Sequence, residues 1–406
     1  MDINQDRLWN RIHSLGKIGV DKTGAITRWP FTKEDMQAKE WLKNEMIDVG
    51  LDVYEDHVGN VIGIYNPTNS TESPVISGSH YDTVINGGMF DGTLGLLSSL
   101  EVAQTLKENN IMLKRPFYVI GYKDEEGNRF GGGMIGSKVI SGKVTDDDFL
   151  LKDANGLSLF EVIKNVGYHP ERYKESKINP IYASLELHIE QGKVLEDNDC
   201  SVGIVEGIPY IRMYKIKIKG VSAHAGATPM NYRTDPVIAM CNWINEITHI
   251  VKNKPYTVAT VGKINTFPGS SNVICDHVSL TLDIRSMENN MIDECLLEMK
   301  KYEKALEKTG ISITYELCQN IEGVKCEDRL KNMMESVMGN RHLSFTRLIS
   351  GAGHDSQNFK NVCPIAMIFV KSKDGHSHRK EEYSSKEDCK NGANVLLDMV
   401  LKLCNE

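Results

Sequence analysis

Apolar and polar residues alternate along this chain in two rhythms, and the rhythm changes part-way. Up to about residue 205, short apolar runs are followed by Gly-flanked polar turns and then by helical patterns. Residues 33–49 recur with helical period and end at Gly50, the residue type that closes a helix in the left-handed conformation. Residues 51–54 and 60–64 read as a hairpin around Val58-Gly59, and residues 94–106 as a helix opening just after Asp91-Gly92. The stretches 74–77, 117–121 and 181–187 read as buried strands. Strand, helix and short Gly-rich turn repeated in this way predict a mostly parallel sheet covered by helices.

Near residue 208 the texture changes. Residues 211–219 (Ile, Arg, Met, Tyr, Lys, Ile, Lys, Ile, Lys) alternate with period two, which predicts a strand with one wet face. A helix at 235–252, strands near 256–263 and 277–285, a helix at 288–308 and a strand at 311–318 complete the order βαββαβ, the ferredoxin-like arrangement. Strands near 344–349 and 365–370 and a helix near 386–403 then resume the first rhythm. The expected architecture is α/β. Residues 1–207 and 325–406 form a discontinuous catalytic domain, and residues 208–324 an inserted α+β lid and dimerisation domain. A chain of 406 residues suits two domains, since single cores stop growing near about 250 to 300 residues.

Composition narrows the classes. Hydrophobic content of 40% and charged content of 25% are those of a globular protein. A net charge of −8 gives no reason to expect nucleic acid or an anionic membrane as partner. No apolar run approaches the roughly 18 residues a membrane helix needs, and the amino terminus lacks a signal peptide's apolar core. Nine cysteines stand singly, with no Cys-x-x-Cys spacing, which points to unpaired thiols in the cytoplasm.

The chemistry lies in small clusters at predicted strand ends: Gly78-Ser79-His80-Tyr81-Asp82, Phe90-Asp91-Gly92, Asp124-Glu125-Glu126-Gly127, His188-Ile189-Glu190-Gln191-Gly192, and His376-Ser377-His378. Ligands of α/β folds gather outside the carboxyl ends of strands, and several imidazoles and carboxylates meeting there are the donor set of a metallohydrolase. Taken singly, the clusters stay open. His80 and Asp82, two apart on extended chain, point the same way, so either Asp82 orients the imidazole or its surroundings, or His80 is a structural hydrogen-bonded histidine. Asp91 is either a helix cap or a carboxylate bridging two cations. Glu125 and Glu126 are either a solvated acidic turn or a ligand beside a proton shuttle. Ser222-Ala223-His224 lacks the elbow of a serine nucleophile, and Gly131-Gly132-Gly133 lacks the Gly-Lys that a phosphate loop requires.

Together the clusters resemble the M20 metallopeptidase-like superfamily, and within it the amidase, hydantoinase and carbamoylase branch. Ala223-His224-Ala225-Gly226, Ser350-Gly351-Ala352-Gly353-His354-Asp355 and Glu381-Glu382-Tyr383 extend the likeness from about residue 35 to 390. The resemblance implies two divalent metals, zinc or manganese, with cobalt or nickel as further candidates. His80, Asp91 and His188 would hold one, and Asp91, Glu126 and His378 the other. Glu125 would be the general base, with His224 and Asp82 beside it in the catalytic group. Gln191, Asn272, Arg285 and His354 would bind substrate. Arg285 would read a carboxylate through its guanidinium fork, unless it closes an ion pair with Asp283 or Glu288. His376, two before His378, is a rival for that ligand position, and the register of Glu381-Glu382-Tyr383 favours His378.

The implied reaction is hydrolysis of the ureido C–N bond of an N-carbamoyl-L-amino acid, giving amino acid, ammonia and CO2. Allantoate and 3-ureidopropionate are alternative substrates. Dipeptide hydrolysis is the other enzymatic reading, disfavoured by His188, where peptidases of the superfamily carry an acidic ligand. A scaffold with a dead site is the non-enzymatic alternative, disfavoured by the complete ligand set. The resemblance also implies a homodimer through the inserted domain.

Overall fold

A computed structural model describes all residues, 1–406. By internal contacts the chain divides into two units, Met1–Glu206 with Cys326–Glu406, and Gly207–Lys325. The first is built on an eight-stranded sheet. Its order is Asp52–Glu55, Val61–Tyr65, Phe117–Tyr122, Val75–His80, Ala183–Ile189, Ile365–Val370, Val202–Val205 and Phe345–Leu348. The four central strands, Phe117–Tyr122 to Ile365–Val370, run parallel. Antiparallel pairings flank them on both sides, so the sheet is mixed, with its parallel part in the middle.

Burial explains the continuous apolar runs. Val75–His80, Ala183–Ile189 and Ile365–Val370 are buried at every residue, as strands covered on both faces must be. Helices Thr93–Glu108 and Lys386–Asn405 pack on this centre, their apolar residues merging with those of Gln5–Leu15 and Lys33–Val49 in one core. Lys33–Val49 begins where the Thr32 side chain accepts from the Asp35 amide and stops at Gly50, φ 77°. No helix is long and apolar enough to cross a membrane.

The second unit is a βαββαβ sheet with strand order Thr257–Thr260, His277–Ser286, Tyr210–Lys219, Ser312–Ile321, all antiparallel. Helices Pro236–Lys252 and Asn289–Glu307 pack on the face carrying Ile216, Ile218, Val278, Leu280 and Leu282, while Lys215, Lys217 and Lys219 are exposed. The single strand read near 256–263 is two: Thr257–Thr260, then Ile264–Phe267, both paired with His277–Ser286. Thr260 pairs with Asp283 and Ile264 with Leu280, so one extra residue bulges out around Gly262.

Candidate metal centre

The central parallel strands deliver their polar ends to one place. His80 closes the strand Val75–His80, His188 stands one residue from the end of Ala183–Ile189, and Glu125 and Glu126 follow Phe117–Tyr122 in a tight turn. His378 lies in the segment after Ile365–Val370, and Asp91 in the turn before the helix Thr93–Glu108. These six side chains line one cavity of about 190 Å³, to which Gln191 and His354 also contribute.

Asp91 is the pivot. Its Oδ1 lies 3.2 Å from His188 Nε2 and 3.8 Å from His80 Nε2. Its Oδ2 lies 3.1 Å from His378 Nε2, which in turn is 3.6 Å from Glu126 Oε1. One carboxylate therefore divides its two oxygens between two donor groups, His80–Asp91–His188 and Asp91–Glu126–His378, each compact enough to hold an ion. The imidazoles are set for this. His80 Nδ1 donates to the Asp82 carbonyl at 3.0 Å and His188 Nδ1 to the Ile189 carbonyl at 2.9 Å, so Nε2 is the nitrogen each ring turns toward Asp91. Imidazole and carboxylate donors with fixed tautomers fit a borderline divalent cation. His376 belongs to neither group.

The structure divides the positioning task of Asp82 between its carbonyl and its carboxylate. His80 is oriented by the Asp82 backbone carbonyl, whereas the buried carboxylate accepts from the amides of Glu125 (3.1 Å) and Glu126 (3.2 Å). It thus fixes the acidic turn. Asp124, at φ 55°, makes that turn sharp enough to present both glutamates. The Met134 amide donates to the Glu125 carbonyl at 3.0 Å and closes it from the other side. Gly92, at φ 64°, is required here, since a Cβ would meet the His80 ring at 2.4 Å.

Glu382 has a role that no local pattern announces. Its Oε1 accepts from the amides of Phe90 (2.8 Å) and Asp91 (2.9 Å), and its Oε2 from Ser377 Oγ at 3.2 Å. Ser377 Oγ also donates to Asp91 Oδ2 at 3.2 Å, and Gln191 Nε2 reaches both Asp91 oxygens. The signal was present only as the place of Glu382 in the Glu381-Glu382-Tyr383 motif.

Electrostatics mark the site as one built for positive charge. Among protein groups alone, burial first and the charge of Asp91 second push Glu126 up to about 9. Burial and the Glu126 charge hold Glu125 well above the usual carboxylate range. Against its own burial, Asp91 is held well below that range by hydrogen bonds from His188 and His378. Burial and the neighbouring His188 keep His354 neutral; its ring packs edge-on against His188 at 4.4 Å, and its Nε2 pairs with Ser350 Oγ at 2.8 Å.

Three of the sequence-selected residues belong to the second unit. His224 Nδ1 accepts from the amides of Gly226 and Ala227, both at 3.1 Å, so its proton sits on Nε2. Asn272 adjoins it: the ladder Ala223–His224 with Val273–Ile274 is extended by the Ala225 amide bonding to the Asn272 carbonyl at 3.0 Å. Arg285 is gripped by Asp283, with Nε and Nη2 each 2.9 Å from its oxygens.

Residues 76–402 match the model of peptidase family M20/M25/M40. The chain belongs to this family. Within it, the chain is 40% identical over 404 residues to an N-carbamoyl-L-amino acid amidohydrolase of Geobacillus stearothermophilus, covering 99% of both. It is 33% identical over 395 residues to an allantoate amidohydrolase of Bacillus subtilis, covering 97% of this chain and 96% of that one. An amidase of the hydantoinase/carbamoylase family from Burkholderia multivorans superposes with a TM-score of 0.94 at 30% identity, covering 100% of this chain and 99% of the other. The peptidase-family match spans all six of the side chains that converge on the cavity, His80, Asp91, Glu125, Glu126, His188 and His378.

Proposed function

We propose that the protein is a di-metal amidohydrolase that cleaves the ureido C–N bond of N-carbamoyl-L-amino acids, releasing amino acid, ammonia and CO2. The division of the Asp91 oxygens between two histidine-carboxylate groups carries the reading. The Geobacillus relative, similar along the whole chain, supports the substrate class. Zinc or manganese is the expected pair of ions, with cobalt or nickel also suited to these donors. Bound there, the ions supply Lewis-acid polarisation of the scissile carbonyl and a water of lowered pKa.

The remaining work belongs to the chain. Glu125 takes the proton of the attacking water and returns it to the leaving nitrogen; burial raises its proton affinity toward the range a shuttle needs. Asp82 and Glu382 hold the turns that carry Glu125, Glu126 and Asp91. In the second unit, the tautomer imposed on His224 leaves Nε2–H to donate to the substrate's carbonyl oxygen as negative charge develops. Arg285 would take the substrate carboxylate, exchanging its pairing with Asp283 for the substrate's planar anion. The second unit serves as lid and as the surface of a homodimer, and the enzyme works in the cytoplasm, consistent with nine unpaired cysteines.

The Bacillus relative makes allantoate the second reading. An ammonia-release assay with added zinc or manganese decides, run on N-carbamoyl-L-amino acids, allantoate, 3-ureidopropionate and a dipeptide. Turnover confined to the dipeptide would overturn the proposal.

A further inference from the structure

Beside the metal cavity lies a second, larger cleft of about 510 Å³ within the same unit. Gln191, Ala352 and His378 line both, so the two spaces meet at the metal ligand His378. A substrate whose carbamoyl group lies among the ligands can therefore extend a substituent into the cleft. That volume is in the range of small-molecule sites, about 300 to 1,000 Å³.

Its walls are short and more apolar than polar, with Gln191 and Ser377 beside His378 adding polar side chains where the cleft meets the metal cavity. Val194, 46% exposed, opens on it together with Ile349 and Ala352, and Gly192, Gly351 and Gly375 supply backbone instead of side chains. Two of these glycines are needed for the wall itself: a Cβ on Gly375 would meet Lys193 Cγ at 2.6 Å, and one on Gly192 would meet Glu190 Oε1 at 2.8 Å. Gly351 differs, with nothing within 4 Å of a Cβ built on it. Two charged side chains, Glu190 and Lys193, also line it. Glu190 accepts from the amides of Val194 and Leu195 at 2.6 and 2.8 Å, and Lys193 Nζ lies 3.9 Å from Glu196.

We infer that this cleft receives the α-side chain of an N-carbamoyl-L-amino acid and selects bulky apolar side chains, with Val194, Ile349 and Gly351 setting the limit. The inference rests on the proposed carbamoyl-amino-acid reaction and assigns its substrate class. Allantoate carries a second ureido group at the corresponding carbon. On the side of Val194, Ile349 and Ala352, away from Gln191 and Ser377, the N–H donors of that group would exchange water for apolar surface, and donors left unpaired are costly.

The test is kcat/KM for N-carbamoyl derivatives of glycine, leucine and phenylalanine and for allantoate, in the parent, Gly351→Leu and Val194→Asp. Metal content and melting temperature of each full-length protein verify the fold. A hydrophobic pocket discriminates by about tenfold or more per well-placed group. The parent should accordingly prefer the leucine and phenylalanine derivatives over glycine and allantoate by at least about tenfold. Gly351→Leu should cost about tenfold more on the phenylalanine derivative than on glycine, and Val194→Asp should narrow the gap between leucine and allantoate. Equal parent rates on glycine and phenylalanine derivatives, or a uniform loss across substrates in Gly351→Leu, would overturn the cleft assignment while leaving the reaction in place. Turnover of none of the carbamoyl compounds would overturn the reaction itself, and the cleft assignment with it.

Discussion

The histidines of the two units are held in opposite ways. His80 and His188 are 2% and 1% exposed, locked by their own backbones onto one carboxylate. His224 is exposed and fixed only by two loop amides, and Arg285 is held by an acid two residues away. Chemistry is thus assembled in the first unit before substrate arrives, in a buried place where charges act strongly. On the proposed reading, recognition falls to the second unit, whose His224 meets solvent and whose Arg285 would exchange Asp283 for the substrate anion. The lesson is that changes in the first unit should remove turnover and metal, and changes in the second should alter how substrate is held.

The largest effect is expected from Asp91→Ala, because one side chain serves both donor groups. Losing a residue on which the whole machinery depends costs about 10⁴-fold or more in kcat, and activity should fall to background in the ammonia assay. Glu125→Gln comes next. It should lower kcat by about 10² to 10⁴-fold with metal retained, because it removes a proton shuttle without removing a ligand. Activity within tenfold of the parent would place the base elsewhere.

In the second unit, Arg285→Ala should lower kcat/KM by about 10 to 10²-fold, the value of a charge-assisted pair near 1.5 to 3 kcal/mol, at unchanged metal content. Arg285→Lys should rescue little of it. A substrate amide lacking the carboxylate sharpens the comparison: if parent and Arg285→Ala differ as much on it as on the acid, the arginine is structural. Among the first-unit residues that hold the site, the smallest loss is expected from Glu382→Gln. Outer partners of metal ligands typically contribute about 10 to 10²-fold, and here the amide can still accept from Phe90 and Asp91. His376→Ala should leave metal and activity intact, in contrast to His378→Ala.

Much of this was legible in the chain because it is local. Periodicity located the central strands, Thr32 and Gly50 bounded one helix, and polar residues at strand ends marked the cavity. What was not legible depends on distant pairs. Glu382 bonds to the Phe90 amide 292 residues away, and nothing near either residue signals it. The spacing of Asp82 suggests that it orients His80 or its surroundings; its carbonyl does the first and its carboxylate, on Glu125 and Glu126, the second, a division that spacing cannot reveal. The bulge around Gly262 and the mixed direction of the large sheet likewise arise from pairing, which a single strand's pattern does not encode.

Metal analysis of parent and Asp91→Ala decides whether Asp91 is shared. Both proteins are loaded with zinc or manganese, dialysed, and assayed for metal per subunit by mass spectrometry. The parent should hold two ions and the variant should lose occupancy at both positions, because Oδ1 serves one donor group and Oδ2 the other. Full retention of one ion with loss of the other would contradict the bridge and leave Asp91 a ligand to a single metal.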